Sequence, residues 1–209
     1  MGTLDDLATV PSRLARLRAS AGVDDVFGFH GHRFELRVPL ADDHLESLES
    51  RWGVTLPADY RFFLTKIGDG GAGPGYGLFP VGQCGDSATE TEPWDEWMVS
   101  DLRTSFRLSE PWNLPDAQLV PPDLGDEGME RWFEHKDTVY FDLALINGTI
   151  PIAHQGCAYW DRLVVSGPLA GQVWTDGRAG DEGIRPASPV RFTEWYLHWL
   201  DACEASLTP

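Results

Sequence analysis

The thirteen residues from Gly68 to Pro80, GDGGAGPGYGLFP, constrain the fold more than any other part of the chain, because six of them are glycine. Such a run supplies backbone that reaches positive φ and lets neighbouring strands approach closely. It formally contains GxGxxG at Gly68, Gly70 and Gly73. A dinucleotide-binding loop, however, needs a strand before the glycines and a helix after them. Here a helical pattern precedes and a strand-like stretch, Tyr76 to Val81, follows. No Gly-Lys-Ser/Thr step completes a phosphate-binding loop either. The run therefore reads as a helix-to-strand connection.

Upstream, apolar spacing of three, four and seven at Leu7, Leu14 and Leu17 predicts a short amphipathic helix beginning near Pro11-Ser12. Arg33 to Val38 alternates, with Phe34, Leu36 and Val38 on one side, and predicts a half-buried strand. Asp42-Asp43 open a helix with Leu45, Leu48 and Trp52 on one face and Gly53 at its end. Leu56-Pro57 starts another, with Tyr60, Phe63, Leu64 and Ile67 as its buried stripe and Gly68 as its stop. Downstream, Val139 to Ile146 and Ile150 to Ala153 read as a hairpin across Asn147-Gly148. Tyr159 to Val165 and Gln172 to Thr175 read as a second pair across residues 167–171. A polar loop, Asp176 to Pro189, leads to a C-terminal helix capped by Thr193, with Trp195, Leu197, Trp199 and Leu200 on it. Helices, then sheet, then helix predict an α+β fold: a mostly antiparallel curved sheet flanked by helices, one domain over residues 1–209 with an N-terminal helix and strand in 1–41.

A chain of 209 residues with 42% hydrophobic composition can build its own core. Its 33 acidic against 16 basic residues leave a net charge of −17, which repels phosphate backbones and anionic bilayers, so nucleic acid and membrane are excluded as first partners. Cys84, Cys157 and Cys203 form no CxxC and are odd in number, which fits a cytoplasmic setting better than a disulfide framework or a cysteine zinc site. Asp5 and Asp6 stand where a basic leader would, and no apolar run reaches spanning length.

The charge is unevenly placed. Residues 86–134 hold 13 acidic and 3 basic side chains, together with Trp94, Trp97, Trp112 and Trp132 and five prolines, and read as an irregular, partly helical acidic insertion. Tryptophans within a charged rim suit a protein partner. The candidate partner-binding residues are Asp86, Glu90, Glu92, Trp94, Asp95, Glu96, Trp97, Glu110, Asp126 and Glu127. Against this stands the plainer expectation that acidic loops are solvated and that indoles in a proline-rich stretch pack it down. A sheet face around Tyr76, Tyr159 and Trp160 is the other candidate surface.

Catalysis finds little support. The six histidines show no metal-ligand spacing, although His30 and His32 would share a strand face. His154 and Cys157 lie three apart around Gly156 with no orienting acid, and GxSxG is absent. The expectation is no enzyme, no metal and no cofactor.

The order of motifs resembles the SUKH superfamily in its Smi/Knr branch, which includes yeast cell-wall-synthesis regulators and bacterial toxin-immunity proteins. The elements are Trp52-Gly53, then LPADYRFFLTKIGDGG, GYGLFPVG, PIAHQGCAYWDRLVVSGPLAGQVWTD and RFTEWYLHWLD. They cover about 42–82 and 139–201, and the acidic insertion carries no pattern of the family. The resemblance implies a flanked antiparallel sheet and a cytosolic immunity protein that neutralises a cognate polymorphic toxin by direct binding. A concentrated negative surface adds the expectation of a basic, nucleic-acid-targeting toxin whose active site is occluded. The alternatives are a non-catalytic regulatory adaptor and, in a different class, an uncharacterised enzyme.

Overall fold

The computed structural model describes residues 2–119 and 125–207, with the side chains of 117 and 125–127 also left undescribed. In chain order the elements are α1 (Leu4–Ala8), α2 (Val10–Arg18), α3 (Phe29–His32), α4 (Asp42–Trp52), α5 (Ala58–Phe62), β1 (Gln83–Gly85), β2 (Thr91–Pro93), α6 (Asp116–Leu119), α7 (Gly125–Tyr140), β3 (Thr149–Gly156), β4 (Tyr159–Val164), β5 (Gln172–Asp176), β6 (Ile184–Arg191) and α8 (Phe192–Ser206). β1 and β2 form a small hairpin, and β3-β4-β5-β6 form an antiparallel sheet in that order. The fold is α+β, as the pattern of residues predicts. No helix among the described residues is long and apolar enough to cross a membrane.

Alternation along the strands divides the sheet into two faces. Ile150, Ile152, Leu163 and Val173 face the larger core, where they meet Phe192, Trp195, Tyr196 and Leu200 of α8, the N-terminal Leu7, Leu14 and Leu17, and Tyr60, Phe63 and Leu64. Each such fully buried side chain contributes about 1.5–3 kcal/mol. Val164, Trp174 and Ile184 face the other way, against Phe106, Leu145 and Ile146. The acidic segment is thus the second cover of the sheet. Its Phe106 ring packs edge-to-face on Trp174 at 5.0 Å, Ser166 Oγ donates to the Leu102 carbonyl at 2.7 Å, and Trp112 bridges to Ile184 on the outer strand.

The glycine-rich connection has the positive-φ backbone and close approach expected of it, but no regular strand follows it. Gly70, Gly71, Gly75 and Gly77 all have positive φ. A Cβ on Gly71 would collide with the Glu35 carbonyl oxygen, and one on Gly75 with that of His154. Leu78 alone bridges to both Gly71 and Ala153, so the expected strand over Tyr76 to Val81 shrinks to isolated pairings. Tyr196 Oη, from α8, donates to the Ala72 carbonyl at 2.8 Å and pins the connection to the core.

Several local expectations fail for identifiable reasons. Arg33 to Val38 is no strand: Arg33 and Phe34 take φ of 48° and 53°, only Leu36 makes a bridge, and Val38 is 84% exposed. The N-terminal helix is two helices meeting at Thr9, and it starts at Leu4. Val139 to Ile146 is not a strand either, because α7 runs through Tyr140 and a 3₁₀ turn spans Leu143–Ile146, where the Asp142 carboxylate accepts from Ala144 N–H. Asn147-Gly148 therefore joins a turn to β3 and makes no hairpin. The loop expected over Asp176 to Pro189 contains most of β6. Pro186 and Pro189 fit there because an edge strand does not need every N–H. Thr193 is not the helix cap: α8 starts at Phe192, after Arg191. His30 and His32 sit on the short α3 and share no strand.

Candidate functional site

The β1-β2 hairpin pairs Gln83 with Pro93, Cys84 with Glu92 and Gly85 with Thr91. This short ladder brings the first acidic residues together. Asp86, Glu90 and Glu92 on the hairpin, and Asp95 and Glu96 just beyond it, are all exposed. Four of these five carboxylates, those of Asp86, Glu90, Glu92 and Asp95, line a concavity of about 480 Å³ bounded by Trp97 and Trp160, with no basic side chain among the described residues of its wall. Carboxylates held in one concave wall focus a negative potential outward.

The two nearby tryptophans have different roles. Trp94 turns toward α4: its ring stacks on Trp52 at 5.0 Å and 29°, and its indole N–H donates to the Gln83 carbonyl at 2.9 Å. It fastens the hairpin to the body of the protein. Trp97 is 59% exposed, donates to Asp95 at 3.2 Å and meets Trp160 of β4 edge-on at 6.2 Å and 72°. Trp160 in turn lies 4.4 Å from the His154 ring and 5.9 Å from Phe79. The insertion and the sheet end around Trp160, separate candidates in the sequence, are one continuous surface.

Glu110 does not join this group. It precedes Trp112, which pairs with Ile184 of β6, the edge strand opposite β3, and it does not line the concavity. The side chains of Asp126 and Glu127 lie outside the described residues.

Beyond the Trp97–Trp160 wall is a second cavity of about 290 Å³, lined by Met98, Phe141, Leu143, Ala158, Arg162, Asp176, Arg178 and Ala179. Phe141 and Leu143 are 44% and 37% exposed. The Asp176 and Arg178 side chains pair through two hydrogen bonds of 2.8 and 2.7 Å, and Arg178 Nη1 donates to the Tyr140 carbonyl at 2.9 Å. Arg162 donates from Nε to Thr149 Oγ1 at 3.0 Å and from Nη2 to the Met98 carbonyl at 2.5 Å. Burial pulls its guanidinium down to about 10. Sequence reasoning missed this convergence: Arg162, Asp176 and Arg178 are 14 to 16 residues apart or two apart, and only the strand register sets them side by side.

The residues weighed for catalysis do not assemble. His154 is buried, with Nδ1 3.4 Å from the Asp86 carbonyl oxygen, whereas Cys157 stands exposed in the β3-β4 turn at φ 52°. No hydrogen bond joins them among the described residues. Nor does any group of three or more His, Cys, Asp or Glu among those residues converge on a position for a metal ion. Burial raises the Asp161 carboxyl, which accepts from Thr175 Oγ1 at 2.8 Å and from Gln155, above the usual carboxylate range.

Neither the curated proteins nor the solved structures compared with the chain gave a match. A model of the SMI1 / KNR4 family (SUKH-1) matches residues 39–177, a range that begins just before α4, takes in the glycine-rich connection, runs through the acidic segment and ends after β5. With more than half of its length matched, and with the helices, connection and antiparallel strands in that order, the chain belongs to the SMI1 / KNR4 family (SUKH-1).

Proposed function

We propose that this protein is a cytosolic immunity protein that binds a cognate polymorphic-toxin domain with a basic, nucleic-acid-targeting active site and neutralises it by occlusion. Family members act through protein–protein interaction and are in general non-enzymatic, which supports a protein partner. The observation that carries the reading is the gathering of exposed Asp86, Glu90, Glu92, Asp95 and Glu96 beside the exposed Trp97. Carboxylates so placed stand in for the phosphates of a toxin's substrate, and Trp97 is the aromatic anchor within their rim. Steering by such a field supports association at about 10⁸ M⁻¹s⁻¹ at low salt.

The test is to express any toxic C-terminal domain encoded beside this gene and to measure its stopped-flow association with the chain against NaCl concentration. For the native chain the rate is expected to fall steeply with salt. With Asp86, Glu90, Glu92, Asp95 and Glu96 changed to Asn or Gln, the rate should drop at least tenfold and lose most of that dependence. An unchanged rate and salt slope would show that the acidic surface is not the interface. Weak binding to several proteins with no protection from the toxin would assign the chain to the regulatory adaptors instead.

A further inference from the structure

We infer that the cavity between Trp97, Phe141, Leu143 and Trp160 is a binding site for a small apolar carboxylate, its body held by these side chains and its charge met by Arg162. The inference does not depend on the toxin reading, since the acidic concavity lies on the other side of the Trp97–Trp160 wall.

The walls come first. Trp97, Phe141 and Leu143 are among the few large apolar side chains left exposed, and all three converge on one cavity with Trp160. Contiguous apolar surface of this kind marks a binding site more often than chance exposure. A volume of about 290 Å³ lies at the small end of ligand pockets and suits a single ring or branched chain.

The charge comes second. Arg162 is 2% exposed. Its Nε and Nη2 are bonded to Thr149 and Met98, whereas Nη1 has no hydrogen-bond partner among the described residues, and the side chain lines the cavity. The one carboxylate among the described residues of the cavity wall, Asp176, has both oxygens engaged by Arg178. Asp176 is thus paired with Arg178, and Arg162 is left as a buried guanidinium with no carboxylate hydrogen-bonded to it among the described residues. A buried charge is costly unless it is paired and hydrogen-bonded, and a monocarboxylate entering the cavity would do both. A phosphate would bring excess charge and strong hydration into apolar walls. An ammonium would meet Arg162 with like charge.

The experiment titrates the full chain with three probes that share one body: 3-phenylpropionate, 3-phenylpropionamide and phenethylammonium. Tryptophan fluorescence and the indole N–H resonances of Trp97 and Trp160 report on the cavity. The carboxylate should bind saturably with a dissociation constant of about 1 mM, at least tenfold tighter than the amide, with no saturation by the ammonium. Trp97→Ala, at an exposed position, should weaken it about fivefold or more. Arg162→Gln should abolish the preference for carboxylate over amide while leaving residual binding of both. If that variant fails to fold, the probe ranking on the native chain and Trp97→Ala decide the matter. Equal binding of carboxylate and amide, tighter binding of the ammonium, no saturation by any probe, or indole shifts indifferent to binding would each overturn the inference.

Discussion

At the scale of single residues, His32 shows how packing sets chemistry. Its ring is 3% exposed, stands edge-on to Trp199 at 5.6 Å, and its Nδ1 accepts the Phe34 N–H at 3.0 Å. A proton would place a charge among aromatic rings and turn that acceptor into a donor facing another donor, so burial pulls the imidazole from 6.5 down to about 4. The sign follows from linkage. Above pH 6.5 the ring is neutral in both states, and as pH falls toward 4 the unfolded chain binds a proton that the folded chain refuses. His32 therefore withdraws about 3 kcal/mol of stability across that window. We predict that urea unfolding at pH 7 and pH 4 will show a smaller acid loss for His32→Gln than for the native chain. Parallel losses in the two would remove His32 from the account. Nothing in the flanking FHGHRF marks this residue as buried, because the ring that covers it, Trp199 of α8, lies far away in the chain.

At the scale of elements, α8 is positioned by a residue far away in sequence. Asp59, in the Leu-Pro-Ala-Asp-Tyr stretch, accepts from the Thr193 N–H at 3.3 Å and from its hydroxyl at 3.0 Å, so α5 supplies the capping carboxylate that α8 lacks at Arg191. A local rule assigned the cap to Thr193 because its hydroxyl suits that role. The hydroxyl instead donates, one residue inside the helix. Asp59→Ala should cost about 1–2 kcal/mol, read as a lower urea midpoint with an unchanged slope, whereas Asp59→Asn should retain most of the stability. A loss below a few tenths of a kcal/mol in the alanine variant would show that solvent satisfies the helix start just as well. The same dependence on distant partners explains β6, whose prolines read as loop until β5 supplies a neighbour.

At the scale of the whole molecule, the net charge of −17 is a standing repulsion, partly relieved by pairs such as Arg13 with Glu204 and Asp201, which tie α2 to α8. The acidic excess lies mostly in residues 86–134. Neutralising Asp86, Glu90, Glu92, Asp95 and Glu96 should raise the melting temperature by about 2–4 °C at low salt, the shift expected of about 1 kcal/mol in a chain of this size. The increment should shrink at high salt, where the Debye length falls to about 3 Å. A lower melting temperature would mean that these carboxylates hold the hairpin together and are not a reserve of charge for a partner.

Sequence by itself determined the helices at Asp42–Trp52 and Ala58–Ile67, the glycine-rich connection, the β4-β5 pair and the apolar C-terminal helix. In each of these, apolar periodicity, prolines and glycines act within a few residues of one another. It also located the acidic excess. Only the tertiary structure decided which way Trp94 and Trp97 face, that the segment after Glu110 pairs with β6 and not with the hairpin, and that Arg162, Asp176 and Arg178 meet beneath one cavity. These depend on strand register and on which face the acidic segment covers. Contacts between residues 60 or more positions apart, such as Arg162 to Met98, leave no trace in local periodicity because each partner is chosen by the packed sheet and not by its neighbours in the chain.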